Sequence, residues 1–275
     1  MRIMFMGTPE IAIPSLEILH KKHEICAIIT GEDKPRGRGH KFTPTPVAAW
    51  GMAHNIPVIK PQTFKDMAFL PILEEYKPEA IIVIAYGKIL PKYILDYPQY
   101  AINIHFSLLP KYRGAAPVQR AVMNGESETG VCSILMEEEL DAGDILHTIK
   151  TPINENETSG ELFNRLADIG AECIDYTINN LESIKPLQQD NEKATYAPML
   201  TKEESFIDFS KTPIEIINHI RAFNPHPVAR MHSGDDILKV LSATINKEGL
   251  LEILEIQPPN KAKMLYKDYL RGLKQ

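Results

Sequence analysis

The sequence predicts an α/β protein with a doubly wound, mostly parallel sheet and a second, smaller β-rich domain. Strand-like and helix-like patterns alternate along about the first 180 residues. The run EAIIVIAY at 79–86 is continuous and β-branched, as expected of a strand that is covered on both faces. After a polar stretch, short strand patterns follow one another. We therefore predict a first domain over 1–184, a linker over 185–210 and a second domain over 211–275.

The individual elements follow from apolar periodicity and from the residues that begin helices. Thr8 is expected to cap the first helix, with Pro9 as the first helical residue, where a missing N–H is tolerated. Thr212 and Pro213 repeat this pattern in the second domain. Further helices are expected at 45–54, 65–76, 117–124, 159–181 and 212–223, and strands at 2–6, 24–30, 58, 79–86, 101–105, 130–137, 143–150, 229–232, 237–243 and 250–257.

Composition and charge exclude several classes of protein. With 44% hydrophobic and 24% charged residues, the chain of 275 residues is expected to fold around a sizeable core. No apolar run approaches the roughly 20 residues that span a bilayer. The first residues form a strand pattern rather than a signal peptide, so we expect a cytoplasmic protein. The net charge of −6 argues against a general nucleic-acid binder, although basic residues are concentrated locally.

The sequence gives no sign of disulfides, of a metal site or of a nicotinamide cofactor. The three cysteines, Cys26, Cys132 and Cys173, are odd in number and far apart, which excludes a disulfide framework. The chain has neither CxxC nor HExxH spacing, so we predict no metal site. We expect each cysteine to be a small buried apolar group. The turn at 7–10 lacks the G-x-G-x-x-G fingerprint of dinucleotide binding.

Residues that can carry chemistry are concentrated between 101 and 146. Asn103 and His105 are two residues apart at the end of a predicted strand, so their side chains face the same side of the sheet. Asp141 precedes Gly143 in a loop that can return to the same carboxyl edge, where open α/β sheets bind ligands. An amide, an imidazole and a carboxylate can together polarise a carbonyl and move a proton. From the residues alone, a structural histidine and an ordinary turn at the aspartate remain open alternatives.

This stretch resembles the signature of the folate-dependent formyltransferases. In that family an Asn-x-His pair, a Ser-Leu-Leu-Pro turn and a downstream Asp form the site, and Asn103, His105, residues 107–110 and Asp141 match in order and spacing. The resemblance covers nearly the whole chain. Segments similar to the family members that act on an aminoacylated tRNA are FMGTPEIAIPSLEIL at 5–19, the basic loop with its flank KPRGRGHKFTPTPV at 34–47, RAFNP at 221–225 and QPPNK at 257–261.

The resemblance implies a Rossmann-like catalytic domain followed by a small, shortened β-barrel of the OB type that contacts tRNA. The implied reaction moves the formyl group of 10-formyltetrahydrofolate to the amino group of methionyl initiator tRNA, for translation initiation. The substrate amine attacks directly, Asn103 and His105 stabilise the oxyanion, and Asp141 supports the imidazole. The family expectation is a monomer that needs no metal.

The resemblance also implies two sets of binding residues. Those expected at the folate are Tyr86, Gly87, Ile89, Leu90, Ser107, Leu108, Leu109, Pro110, Leu140 and Asp144. Those expected at the tRNA are Lys34, Arg36, Arg38 and Lys41, with Arg38 as the principal contact. A run of charges is also compatible with a solvated face, and Ile89 and Leu90 are also compatible with core packing.

The chain departs from the family pattern at three places. Phe106 stands where a small residue or proline is usual, and Cys132 replaces a hydroxyl residue. Between Met231 and Leu250 the chain is about twenty residues shorter than the family pattern, which corresponds to at least one missing hairpin of the second domain. We expect an altered pocket lining and a smaller tRNA surface, with the chemistry kept. Two alternatives remain: a folate-dependent formyltransferase of an amino sugar nucleotide, which would not need the basic loop, and a non-catalytic folate- or RNA-binding protein on the same fold.

Overall fold

The computed structural model describes residues 1–36 and 41–273, with Arg36 and Lys41 described by their backbones alone. The chain forms two compact units that interleave along the sequence. The domain boundaries predicted above stay a prediction. The first unit consists of Met1–Gly114, Gly130–Lys150 and Asn164–Tyr196, and the second of Ala115–Thr129, Thr151–Phe163 and Ala197–Gln275.

The strands and helices alternate along most of the chain. In order, the strands are β1 Arg2–Gly7, β2 Glu24–Ile29, β3 Lys34–Arg36, β4 Lys41–Thr43, β5 Val58–Ile59, β6 Ala80–Ile84, β7 Tyr100–His105, β8 Glu128–Leu135, β9 Ile145–Pro152, β10 Ala229–Ser233, β11 Asp236–Ile245, β12 Leu251–Gln257 and β13 Met264–Leu265. The helices are α1 Ile13–Lys22, α2 Pro46–Ala53, α3 Leu70–Tyr76, α4 Lys92–Leu95, α5 Pro117–Met123, α6 Ser159–Asn180, α7 Pro213–Phe223 and α8 Tyr266–Gly272. None of the helices within 1–36 and 41–273 is both long enough and apolar enough to cross a membrane.

A seven-stranded sheet has the order β5-β2-β1-β6-β7-β8-β9. β1 pairs in parallel with β2 and β6, β2 with β5, and β6 with β7, whereas β8 runs antiparallel to β7. β1 and β6 lie inside the sheet and nearly all of their residues are buried, which explains their continuous apolar pattern. The mostly parallel sheet confirms the predicted doubly wound class.

The loops that follow three neighbouring strands are tied together by Thr8. Its hydroxyl accepts a hydrogen bond from the Gly31 amide at 3.2 Å and donates one to the Tyr86 carbonyl at 3.3 Å. The expected capping role of Thr8 is wrong, because its side chain is engaged by these loops. A 3₁₀ turn at Glu10–Ala12 comes first, and α1 begins at Ile13 without a side-chain cap. The bonds of Thr8 instead hold together the carboxyl edge of the sheet.

The second unit contains a four-stranded antiparallel sheet of order β10-β11-β12-β13. The two residues Gly234 and Asp235 join β10 to β11, and a short turn at 246–250 joins β11 to β12. α7 follows the predicted cap, where Thr212 and Glu215 form a capping box. The antiparallel sheet confirms the predicted β-rich C-terminal domain.

The cysteines Cys26, Cys132 and Cys173 are free and buried, which confirms the expectation that they are small buried groups. Burial raises the pKa of Cys26 to about 11 and the pKa of Cys173 to about 12. Burial also raises the pKa of Cys132. A raised pKa keeps a cysteine in the thiol form at neutral pH, and the thiolate is the reactive species.

We therefore expect none of the three thiols to react rapidly with Ellman's reagent at pH 8 in the folded protein. With a pKa of about 11, only about one Cys26 side chain in a thousand is ionised at that pH. Unfolding in guanidinium exposes the thiols and should make all three react rapidly. The measurement is the absorbance of the released thionitrobenzoate, and rapid labelling of a native thiol would contradict the burial described above.

Candidate functional site

The predicted pair Asn103 and His105 lies in the last three residues of β7, at the carboxyl edge of the sheet. β7 runs between β6 and β8, where Asn103 is opposite Val83 and Ile134. Because alternate residues of a strand point to the same face, the amide and the imidazole share one side of the sheet. His105 is buried and Asn103 is half-buried. The strand therefore presents two hydrogen-bonding side chains at one sheltered place.

Asp141 returns to this pair from the loop between β8 and β9. Its Oδ1 accepts a hydrogen bond from Asn103 Nδ2 at 3.3 Å, and its Oδ2 lies 3.5 Å from His105 Nδ1. The amide of Gly114 also donates to Oδ2, at 2.8 Å. The side chain of Asp141 is only 10% exposed, so these donors replace most of its hydration. The structure brings the three predicted residues together around one carboxylate.

The second nitrogen of the His105 ring is also engaged. Nε2 lies 2.9 Å from the carbonyl oxygen of Tyr112, which can only accept a hydrogen bond. Tyr112 has a left-handed backbone with a φ of 63°. Thr195 holds this conformation, since its hydroxyl accepts from Tyr112 N at 2.9 Å and its carbonyl accepts from Arg113 N at 2.8 Å. The imidazole is therefore fixed between two acceptors.

The loop that carries Asp141 is supported from beneath by Gln189. The Gln189 amide nitrogen donates to the carbonyl of Asp141 at 2.8 Å and to the carbonyl of Gly143 at 2.7 Å. Asp141 itself has a left-handed φ of 52°. Gly143 passes so close to β8 that a Cβ there would lie 1.8 Å from the carbonyl oxygen of Leu135. Only glycine fits this crossing, and the loop has little freedom.

Sequence reasoning missed the residues that hold the predicted three in place. Three of these residues lie within 101–146, where chemistry was expected, but no motif indicated a role for them: Tyr112, Arg113 and Gly114. Gln189 and Thr195 lie in the predicted linker, where nothing in the sequence marks them. In the structure, residues 185–196 belong to the first unit, and Leu187 exchanges two backbone hydrogen bonds of 2.8 Å with Ile145.

The four residues predicted at the folate after β6 divide into two kinds. Tyr86 and Leu90 are buried in the core of the first unit. Burial raises the pKa of Tyr86, whose hydroxyl has no hydrogen-bond partner among the described residues. Gly87 has a left-handed φ of 79°, and Ile89 is 83% exposed. Ile89 is therefore a large apolar side chain that this unit leaves open to solvent.

The predicted folate residues after β7 lie mostly under the surface. Ser107 and Leu109 are buried, and the Ser107 hydroxyl donates to the Lys111 carbonyl at 2.6 Å. Leu108 and Pro110 are half-buried, as is Asp144. Leu140, next to Asp141, is instead 56% exposed. Leu140 is therefore a second large apolar side chain that this unit leaves open to solvent.

The two unusual residues pack into the interior. Phe106 is 6% exposed, and its ring lies against Gly170 of α6, where a Cβ would approach Phe106 Cε1 to 3.2 Å. Cys132 is buried, with its sulfur 3.3 Å from the Thr148 hydroxyl. Phe106 is therefore packed in the interior, opposite a glycine on α6, and the expected change of the pocket lining stays a prediction.

The basic segment forms a two-stranded ribbon in which β3 pairs with β4 and Lys34 lies opposite Thr43. Lys34 is exposed, and Phe42 on the facing strand is 75% exposed. Arg36 and Lys41 form the last described pair of the ribbon, while Arg38 lies outside the described residues. Within the described ranges, no group of three or more His, Cys, Asp or Glu is arranged to hold a metal ion.

Comparison with known families identifies the class to which this fold and site belong. The family model described as "Formyl transferase" matches residues 1–178, and the model "Formyl transferase, C-terminal domain" matches residues 199–249. The relative from Alkaliphilus oremlandii is 40% identical over 299 aligned positions, covering 99% of this chain and 96% of its own. The relative from Clostridium novyi is 41% identical and covers 99% and 97%. The chain belongs to the formyl transferase family, and both of these relatives are named methionyl-tRNA formyltransferase.

Solved structures share the fold. The N-formyltransferase from Helicobacter canadensis, in complex with folinic acid and dTDP-3-aminofucose, has a TM-score of 0.69 at 23% identity and covers 90% of this chain and 88% of its own. The methionyl-tRNA formyltransferase from Clostridium thermocellum has a TM-score of 0.65 at 21% identity and covers 94% and 98%. The family resemblance inferred from the sequence is confirmed.

The alignments also bear on the length of the chain. The 299 positions aligned with the Alkaliphilus oremlandii relative exceed the 275 residues of this chain by 24. At least that many positions of the relative therefore have no counterpart here. The family expectation of a shortened chain agrees with this difference, and its assignment to the region between Met231 and Leu250 stays a prediction.

Gly143 offers a direct test of the loop geometry. We expect Gly143→Ala to lower the free energy of unfolding by about 2–3 kcal/mol, because the added methyl group meets the Leu135 carbonyl and the backbone must move. Gly87→Ala is the control, since its Cβ meets nothing within 4 Å and only its left-handed backbone is strained. Urea unfolding of the two variants measures the difference. Equal stability of both variants would contradict the close crossing of the loop and β8.

Proposed function

We propose that this protein transfers the formyl group of 10-formyltetrahydrofolate to the amino group of methionyl initiator tRNA. The observation that carries the proposal is the convergence of Asn103 and His105 on the Asp141 carboxylate, at 3.3 and 3.5 Å, in a chain of the formyl transferase family. The relatives named methionyl-tRNA formyltransferase, at 40% and 41% identity, supply the substrate class. The reaction serves translation initiation.

The reaction requires stabilisation of the charge that develops on the carbonyl oxygen. It requires no enzyme nucleophile, because the substrate amine attacks directly. The lone pair of the substrate amine forms a bond to the formyl carbon, and the carbonyl electrons move to oxygen. The intermediate collapses when the bond from carbon to the folate nitrogen breaks. The attacking nitrogen loses a proton and the leaving nitrogen gains one, so there is no net oxidation. Asn103 and His105 donate to the oxyanion, and one such donor typically lowers the barrier by about 2.7–4 kcal/mol.

Asp141 orders these donors. An ionised carboxylate only accepts hydrogen bonds, so it orients the Asn103 amide and the imidazole toward itself. The Asn103 nitrogen carries two hydrogens, and the second is the donor that we assign to the oxyanion. Both nitrogens of His105 face protein acceptors, so its bond to the oxyanion replaces one of these contacts. The carboxylate also serves as the acceptor for the proton that leaves the substrate amine, through water.

The folate site is assigned to the loops after β6 and β7. Two apolar side chains, Ile89 at 83% and Leu140 at 56% exposure, support this assignment because a flat ring system can cover them. Buried Tyr86, Leu90 and Leu109 supply the floor. The remaining members proposed for the site are Gly87, Ser107, Leu108, Pro110 and Asp144.

The tRNA site is assigned to the basic ribbon. The exposed Lys34 on β3 supports this assignment, and we assign the principal contact to Arg38, with Arg36 and Lys41 in support. Lys and Arg bind phosphate oxygens with an affinity that falls as salt rises. We further propose that the protein acts as a monomer in the cytoplasm and that its second domain adds to the tRNA surface.

The proposed chemistry predicts that substitution of either His105 or Asp141 causes a large loss of activity. We expect His105→Ala and Asp141→Asn each to lower kcat about 100-fold or more in formyl transfer to methionyl initiator tRNA, measured by acid–urea gel. His54→Ala, at the exposed end of α2, should leave kcat unchanged. Full activity of His105→Ala would contradict the assignment of the active site to these residues. Formyl transfer to an amino sugar nucleotide, without transfer to tRNA, would contradict the proposed substrate and support the alternative one.

The basic ribbon predicts a specific dependence on salt. We expect Arg38→Ala to raise the KM for methionyl-tRNA and to reduce the slope of log(kcat/KM) against log salt by about 1, as the loss of one phosphate contact does. The KM for 10-formyltetrahydrofolate should not change. Lys21→Ala removes the same charge from the exposed end of α1 and is the matched control. Equal slopes for both variants would contradict the tRNA assignment of the ribbon.

A further inference from the structure

Gln189 links the Asp141 loop to the most deeply buried charge next to the site. Gln189 is 7% exposed, and both the nitrogen and the oxygen of its side-chain amide form hydrogen bonds. The nitrogen donates to the carbonyls of Asp141 and Gly143, at 2.8 and 2.7 Å. The oxygen accepts from Arg113 Nε at 3.2 Å and from Arg113 Nη2 at 2.9 Å. The side chain therefore has one orientation that satisfies all of its partners.

Arg113 fixes that orientation. Its side chain is 1% exposed, and its one carboxylate contact among the described residues is a 3.5 Å approach to Glu139, which is itself 64% exposed. The guanidinium is also held by two neutral oxygens, Gln189 Oε1 and Asn191 Oδ1, and the second lies 2.7 Å from Nη2. Because a guanidinium has donors and no acceptor, it can bind only the oxygen end of Gln189. The two hydrogens of the Gln189 nitrogen must then point at the loop.

We propose that Gln189 is a positioning residue for Asp141 in the formyl transfer reaction, oriented by Arg113; this inference rests on the proposed function. Gln189 acts on the backbone of Asp141 and does not touch the reacting atoms. The carbonyls at 141 and 143 flank the turn in which Asp141 takes its left-handed φ of 52°, so their two hydrogen bonds set where the carboxylate stands. That carboxylate orients Asn103 and His105.

The substitution Gln189→Glu isolates this role. It keeps an oxygen for Arg113 and adds a charge that the buried guanidinium can pair with, so the variant should fold. It removes both donors, and the second carboxylate oxygen then faces two carbonyl oxygens. We expect kcat for formyl transfer to methionyl initiator tRNA to fall about 10- to 100-fold, because small misplacements of catalytic groups have effects of that size. The KM for the tRNA should stay unchanged.

Two variants separate positioning from general stability. Gln188→Glu makes the same change at the exposed neighbouring residue and should leave kcat at the wild-type value. Asn191→Ala removes another partner of Arg113 and leaves both donors to the loop in place. It should lower the melting temperature with little effect on kcat. Loss of kcat in Asn191→Ala equal to that in Gln189→Glu would assign Gln189 a merely structural role and overturn the proposal.

A double-mutant cycle tests whether Gln189 acts through Asp141. In an Asp141→Asn background, Gln189→Glu should lower the remaining kcat by no more than about twofold, since residues that share one path are not additive. Multiplication of the two losses would mean that Gln189 acts elsewhere and would overturn the proposal.

A readout without substrate separates failure of this proposal from failure of the proposed function. The Gly114 amide donates to Asp141 Oδ2, so its hydrogen exchange reports where the carboxylate stands. In Gln189→Glu, exchange at Gly114 should accelerate at least about tenfold, whereas in Gln188→Glu it should match the wild type. Unchanged exchange at Gly114 in Gln189→Glu overturns the proposal whatever the enzyme acts on. If exchange accelerates in Gln189→Glu but the wild-type protein does not formylate methionyl-tRNA, the positioning role is supported and the proposed substrate is wrong.

Discussion

The site depends on the need to satisfy one nearly buried carboxylate. Asp141 is 10% exposed on its side chain, and a carboxylate removed from water is costly unless donors surround it. Asn103 and the Gly114 amide donate hydrogen bonds to it, and the Nδ1 of His105 lies 3.5 Å from its Oδ2. Asn103 and His105 lie two residues apart at the end of β7, and Gly114 lies in the loop that follows. The arrangement that we propose for catalysis is therefore also the arrangement that makes the burial of Asp141 tolerable.

Two residues near this carboxylate have an unusual backbone conformation. Tyr112 and Asp141 both adopt left-handed conformations, which cost a residue other than glycine roughly 1–2 kcal/mol each. Such conformations persist only where neighbouring bonds over-determine them. Thr195 holds the first through two hydrogen bonds and Gln189 holds the second through two more. Two polar residues far along the chain thus stabilise the geometry of the site.

The parts that could be predicted from sequence are those with a local signal. The alternation of strands and helices gave the sheet, and the two-residue spacing of Asn103 and His105 placed both on one face. Asp141 was found by resemblance to a family signature. Gln189 could not be found, because a lone glutamine in a polar stretch has no periodicity and its partners are 48 and 46 residues away. The prediction that Thr8 caps a helix was wrong, because its hydroxyl forms hydrogen bonds with Gly31 and Tyr86 instead.

The contacts around Asp141 lie in one of the two units, and the predicted shortening of the chain lies in the other. Every hydrogen bond described around Asn103, His105 and Asp141 is made by residues of the first unit. The tight joins at 234–235 and 246–250 belong to the second unit. The shortening that the sequence predicts in the second unit would therefore remove none of the donors or supports of the carboxylate. We therefore expect such a shortening to affect the binding of a macromolecular substrate and to leave the groups proposed to stabilise charge in place.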